Sequence, residues 1–179
     1  MNKRIFKYYP VWQVDTEEEW LNKKALEGWN MIATDGVNFD FTRGTPGEFT
    51  YRIDAQPEKS SNADWQDYLD MLNEAKVEHV ARYREWTYLR KRKADGPFEL
   101  FSDLDSRIAF WERIRNRYFV ILIPFALLFV LFIINWNIRD ITDSIPRTII
   151  ALFLAFYLWG IAKLMWTIDK LKKEREIHE

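Results

Sequence analysis

Two long apolar stretches near the C-terminus, Tyr118 to Trp136 and about Ile145 to Trp166, constrain this chain more than any other feature. The first contains no charged residue. As a helix rising 1.5 Å per residue it covers about 28 Å, close to the roughly 30 Å hydrocarbon core of a bilayer. The second opens at Pro146-Arg147 and carries one late charge, Lys163, whose long stem can bring its ammonium back to the headgroups. The spans predict a hairpin: a transmembrane helix over 118–136, an extracytoplasmic loop over 137–144, a second transmembrane helix over 145–166, and a basic tail over 167–179. Two helices per chain enclose no pore unless several chains assemble.

Orientation follows from the basic residues beside the spans. Arg107, Arg113, Arg115 and Arg117 precede the first, and Lys170, Lys172, Lys173 and Arg175 follow the second, whereas the link holds only Arg139 and Arg147. Both termini are therefore expected in the cytoplasm of a multi-pass cell-membrane protein. Arg113, Arg115, Arg117, Lys170, Lys172 and Lys173 are the residues expected to meet lipid headgroups. The N-terminus does not read as a secretory signal, because Ile5 to Val14 is short and broken by Lys7, Pro10 and Gln13.

Removing the spans from 179 residues leaves one domain of ordinary size, 1–97, and an amphipathic juxtamembrane helix, 98–117. Net charge is −1, which supplies no overall field for nucleic acid, and none is expected as a partner. The chain has no cysteine, which excludes disulfides, thiolate nucleophiles and cysteine-ligated metals.

In the domain, Lys3 to Trp12 reads as a strand. Asp15-Thr16-Glu17-Glu18-Glu19 reads as a helix start, with a side-chain acceptor to cap and acids at the positive end of the dipole. Trp29 to Thr34 and Val37 to Thr42 alternate around Asp35-Gly36, a hairpin signal. Glu48 to Ala55 is another strand, and Ser61-Asn62-Ala63-Asp64 opens a second helix. Val77 to Ala81 and Glu85 to Arg90 make a second hairpin, and Ser102-Asp103-Leu104-Asp105 caps a further helix. The order strand-helix-strand-strand thus occurs twice at an offset of about 48 residues. Arg4-Ile5 matches Arg52-Ile53, Leu21 matches Leu69, and Trp29-x-Met31 falls on Val77-x-His79. A one-residue slip lays Phe39 and Phe41 on Trp86 and Tyr88. The fold class is α+β: a tandem repeat forming an antiparallel sheet with two helices on one face, followed by a transmembrane helical hairpin. The other sheet face is expected to be half exposed, aromatic, and available to a ligand or a second copy.

Glu18-Glu19-Trp20-Leu21 leading to Glu27-Gly28-Trp29, then Phe39-Asp40-Phe41, then Gly47-Glu48-Phe49-Thr50-Tyr51-Arg52-Ile53-Asp54, resemble the bacterial domain-of-unknown-function family 2812 over residues 3 to about 93. The resemblance implies an N-terminal domain followed by membrane helices. It also implies a Firmicutes setting beside PadR-like transcriptional regulators, and so a regulatory context without a defined activity. The chain departs from the family pattern after the second helix, where Lys76-Val77-Glu78 stands in place of a second Gly-Trp-Glu.

Chemistry is sparse. His79 and His178 have no ligand partner at useful spacing, and no glycine-rich phosphate loop follows a strand. Glu17-Glu18-Glu19 point in different directions on a helix, so they cannot converge on one cation, and helix capping accounts for them. Arg90-Lys91-Arg92-Lys93 reads as a lipid-facing or solvated strand end. The aromatic strand residues either fill a small core or line a cleft between the repeats. In the second case Trp29, Phe39, Phe41, Tyr51 and Trp86 form its walls, and Arg52 with Asp54 orients a ligand. The expectation is a non-enzymatic, membrane-anchored binding or sensing module with no cofactor or metal. Its partners are the bilayer and a protein or small molecule, with homo-oligomers open. The alternative is an accessory subunit of a membrane complex acting through its hairpin.

Overall fold

The structure, a computed structural model, describes residues 1–56, 61–100, 104–134 and 144–178. It divides into two compact units, Met1–Leu100 and Phe101–Glu179.

The first unit contains the expected tandem repeat. β1 (Asn2–Phe6), α1 (Val14–Leu26), β2 (Trp29–Thr34) and β3 (Asn38–Arg43) form one half. β4 (Phe49–Ala55), α2 (Asn62–Glu74), β5 (Val77–Tyr83) and β6 (Trp86–Arg92) form the other. Each half gives a three-stranded antiparallel sheet, ordered β1-β3-β2 and β4-β6-β5. There are thus two sheets and not one continuous sheet. β2 and β5 lie side by side, but side chains occupy the edges where strands would pair. The Met31 amide of β2 donates to the Tyr51 hydroxyl at 3.0 Å.

The 48-residue period holds in detail. Both helices end in a residue with left-handed backbone, Gly28 (φ 80) and Lys76 (φ 56), and both hairpins turn through another, Gly36 (φ 91) and Arg84 (φ 55). The register shifts between Met31 and Ala33 in one sheet and between His79 and Ala81 in the other. One alignment changes. Met31 pairs with Phe41 and His79 with Leu89, so Phe41 is equivalent to Leu89 and Phe39 to Thr87, without a slip. The slip belongs to the first strands. Lys3 pairs with Phe41 and Arg52 with Leu89, which makes Lys3 the counterpart of Arg52. Matching aromatic to aromatic misplaced it, because the second repeat fills the position of Phe41 with an aliphatic residue.

α2 begins as its sequence requires. Ser61 Oγ accepts from the Asp64 amide, and Asp64 Oδ2 accepts from the Ser61 amide. α1 does not begin at Asp15. A 3-10 turn, Val11–Gln13, feeds the helix directly, and its N-cap Gln13 makes no side-chain cap. The predicted first strand is correspondingly shorter, ending at Phe6. Leu21, Ala25, Met31, Phe39 and Phe41 are buried in the first core. Leu72, Val77, Leu89 and Phe98 form the second, flanked by Tyr68, Leu69 and Leu100.

The second unit is an antiparallel pair, α3 (Leu104–Ile134) and α4 (Ser144–His178). α3 is continuous from the connector into the apolar stretch. Ser102, Asp103 and the link 137–143 lie outside the described residues. Tyr118 stacks on Tyr157 with centroids 5.2 Å apart, and Phe125 meets Phe153 at 5.6 Å. Ile108, Trp111 and Ile114 of α3 are buried, as are Ile161, Leu164, Ile168 and Leu171 of α4. The α4 spacing of three, four and three is that of a two-helix seam. Lys172 meets Glu112 at 2.7 Å and Arg175 meets Asp105 at 2.7 Å.

Candidate functional site

α1 carries its buried residues at Val14, Glu17, Leu21 and Ala25, the spacing of one helix face. Glu17 is therefore a carboxyl on a core stripe, only 8% exposed. It crosses between the repeats to β6, where the Tyr88 hydroxyl donates to its Oε1 at 2.8 Å. Burial pushes Glu17 up to about 7, against the Tyr88 hydrogen bond, which favours the carboxylate. Tyr88 is itself held far above its ordinary range, first by burial and then by the Glu17 charge. Burial, and after it Glu17, also lifts Tyr9 to about 12, and the buried Tyr9 hydroxyl has no hydrogen-bond partner among the described residues.

An aromatic cluster adjoins Tyr88, the partner of Glu17. Trp20 packs on Tyr9, Phe39 and Phe41 with centroids 5.9, 5.0 and 5.7 Å away, and Phe39 meets Tyr88 edge-on at 6.3 Å. The Lys7 ammonium lies over both Tyr9 and Trp20, at 4.9 and 4.8 Å from their centroids. Chemically, the arrangement sets burial, which favours the neutral carboxyl, against one tyrosine hydroxyl, which favours the carboxylate.

The second repeat has its own carboxyl. Buried Asp54 accepts from the Tyr68 hydroxyl at 2.9 Å, Gln56 Nε2 at 2.6 Å and the Ala55 amide at 2.8 Å. Next to it Trp65 packs against Tyr68 and His79, with the Arg82 guanidinium 4.2 Å from its ring centroid.

The expected ligand residues do not gather around one cleft. Phe39, Phe41 and Tyr51 are core residues at 0, 0 and 1% exposure. Trp29 is half-buried at the start of β2, under Lys3 and Arg43 at 5.3 and 5.0 Å. Trp86 is half-buried and opens β6 beside the hairpin tip, opposite Tyr83. Arg52 and Asp54 part company: Arg52 reaches Glu18 Oε2 at 3.6 Å, and Asp54 turns to Tyr68. The uncovered face of the first sheet is mainly polar, with Arg4 and Asp40 joined by two hydrogen bonds of 2.6 and 2.7 Å and Phe6 as its exposed aromatic residue.

Capping does not account for the acidic run. Glu17 binds Tyr88, while Glu18 accepts from the Ile53 amide at 2.7 Å. The run does diverge, as helix geometry demands. The clue to Glu17 was its place between Val14 and Leu21, three and four residues away. Among the basic residues, Lys172 pairs with Glu112, and Arg115 meets Asn116 and, at 3.9 Å, Glu112. Arg113, Arg117, Lys170 and Lys173 are exposed. Among the described residues no three His, Asp or Glu side chains group as a metal site requires.

Leu104–Leu131 and Thr148–Ile177 are long and apolar enough to cross a membrane, and only 6% and 17% of their apolar windows are buried. Core helices of a soluble protein bury far more of such surface, so their exposure points to membrane association. A tandem α+β domain followed by two such helices defines the class of protein. The family described as protein of unknown function, DUF2812, matches residues 13–123, more than half of the chain, and the chain belongs to that family. The match begins after β1 and runs through the connector into α3. No curated protein and no solved structure matches the chain.

Proposed function

We propose that this chain is a membrane-anchored cytoplasmic binding module, without enzymatic activity, whose repeat domain engages a protein or small-molecule partner in a regulatory role. The observation that carries the reading is the division of labour between the units. One has its own buried cores, and the other presents apolar side chains that only a bilayer or other apolar partner would cover. Basic residues before the first span and after the second support cytoplasmic termini. A buried carboxyl that changes charge near neutrality supports a sensing role.

Two measurements on the full chain test it. Washing isolated membranes at alkaline pH should leave the chain in the pellet, and its release would end the anchoring reading. Photo-crosslinking in native membranes should then capture a partner through residues 1–97. Capture only through 118–166 would favour an accessory subunit working through its hairpin.

A further inference from the structure

The two repeats treat equivalent strand edges differently. In an antiparallel pair, alternate residues turn their N–H and C=O away from the partner strand. On β4 these include Tyr51 and Ile53, and α1 bonds both groups of Tyr51 and the amide of Ile53. Asn22 Oδ1 accepts from the Tyr51 amide at 2.8 Å, Asn22 Nδ2 donates to the Tyr51 carbonyl at 3.1 Å, and Glu18 Oε1 accepts from the Ile53 amide. The periods agree: four helical residues rise about 6 Å, and two strand residues advance about 6.6 Å. A carboxylate and an amide at i and i+4 therefore substitute for a neighbouring strand.

β1 occupies the place of β4 in the other repeat. Arg43 donates to the Met1 carbonyl and Lys7 to the Val37 carbonyl, so Met1, Lys3, Ile5 and Lys7 face β3. Asn2, Arg4 and Phe6 turn their backbone groups outward, and among the described residues nothing pairs them. The matching device is also vacant. On α2, Gln66 and Asp70 stand where α1 has Glu18 and Asn22, again one amide and one carboxylate at i and i+4. Both are exposed, and Gln66 Nε2 donates to Asp70 Oδ1 at 3.1 Å, with no other bond to either side chain among the described residues.

We propose that α2 of one chain caps the β1 edge of a second copy with the two roles exchanged, Gln66 bridging an amide and a carbonyl as Asn22 does and Asp70 accepting from an amide as Glu18 does. Charge favours the pairing. α2 holds Asp64, Asp67, Asp70 and Glu74 with no basic residue, whereas β1 and its flank hold Lys3, Arg4 and Lys7 with no acid before Asp15. Large apolar side chains stand exposed on both surfaces, Phe6 and Tyr8 at 74 and 62% and Met71 at 56%. A strand of another chain is the competing occupant of such an edge. The internal repeat and the acidity of α2 favour the helix.

Because the chain has no cysteine, introduced thiols report single positions. Two differently tagged full-length copies are co-expressed, one carrying Asn2→Cys and the other Asp70→Cys, and native membranes are treated with a short bis-maleimide. The expected result is a doubly tagged product forming at least about tenfold faster than when Glu19→Cys, at another exposed position, replaces Asn2→Cys. A rate equal to the Glu19→Cys control overturns the proposal. So does faster linkage between two Asn2→Cys copies, which would mean strand-to-strand pairing.

Discussion

Asn22 binds both the amide and the carbonyl of Tyr51, so one side chain of α1 completes the backbone hydrogen bonding of a residue in the other repeat. Asn22→Leu leaves both buried groups unpaired, and each costs about 1–3 kcal/mol. Its unfolding free energy should drop by roughly 3 kcal/mol in detergent-solubilised protein. Asn22→Asp should fare little better, since a carboxylate accepts from the amide but repels the carbonyl. A loss under about 0.5 kcal/mol in both variants would mean that water replaces the side chain.

Glu17 makes stability depend on pH. Its folded pKa of about 7 lies above the ordinary 4.5, so the folded state binds the proton more tightly than the unfolded chain. The contribution is full below about 4.5 and is lost as pH rises through about 7. Glu17→Gln keeps a neutral side chain throughout. Relative to this variant, the parent should lose about 3 kcal/mol between pH 4.5 and 8, an upper bound from the pKa difference. Parallel denaturation curves for the two proteins across that range would refute the assignment.

Thr87 stands where the first repeat has Phe39, fully buried, with no hydrogen-bond partner for its hydroxyl among the described residues. Thr87→Val keeps the shape and removes the unpaired oxygen, so stability should rise by about 1 kcal/mol. Chemical denaturation reads the change, and a destabilised variant would show that the hydroxyl has a partner.

Lys76 and Arg84 adopt the left-handed backbone that Gly28 and Gly36 adopt in the first repeat. Lys76→Gly should stabilise by about 1 kcal/mol, because a side chain at positive φ is strained. The exposed Lys76–Asp95 contact it gives up, at 3.3 Å, is worth less than that. Gly36→Ala should do the reverse, since an added Cβ would run into the Tyr83 ring at a backbone with positive φ. Thermal unfolding of the two variants should therefore shift in opposite directions.

The α+β class, the doubled strand-helix-strand-strand order, the capping box at Ser61 and the turn at Gly36 were all legible, because each is written in local chemistry. The split into two sheets was not. It depends on Tyr51 and Asn22 filling edges that sequence alone leaves open to a strand. Glu17 was half legible. Its spacing from Val14 and Leu21 marks a buried face, but three consecutive acids at a helix start also read as dipole compensation. Only the position of Tyr88, 71 residues away, decides between them.

α3 and α4, at 31 and 35 residues, reach about 46 and 52 Å, well beyond a 30 Å hydrocarbon core. Set in a bilayer, the pair has a draught, like a hull, with Glu112–Lys172 and Asp105–Arg175 as its waterline marks. A membrane thicker by a few ångströms would draw those ion pairs towards hydrocarbon, where charge is costly, and a thinner one would lift them clear. Bilayer thickness would then set how tightly the charged ends of the two helices are clasped.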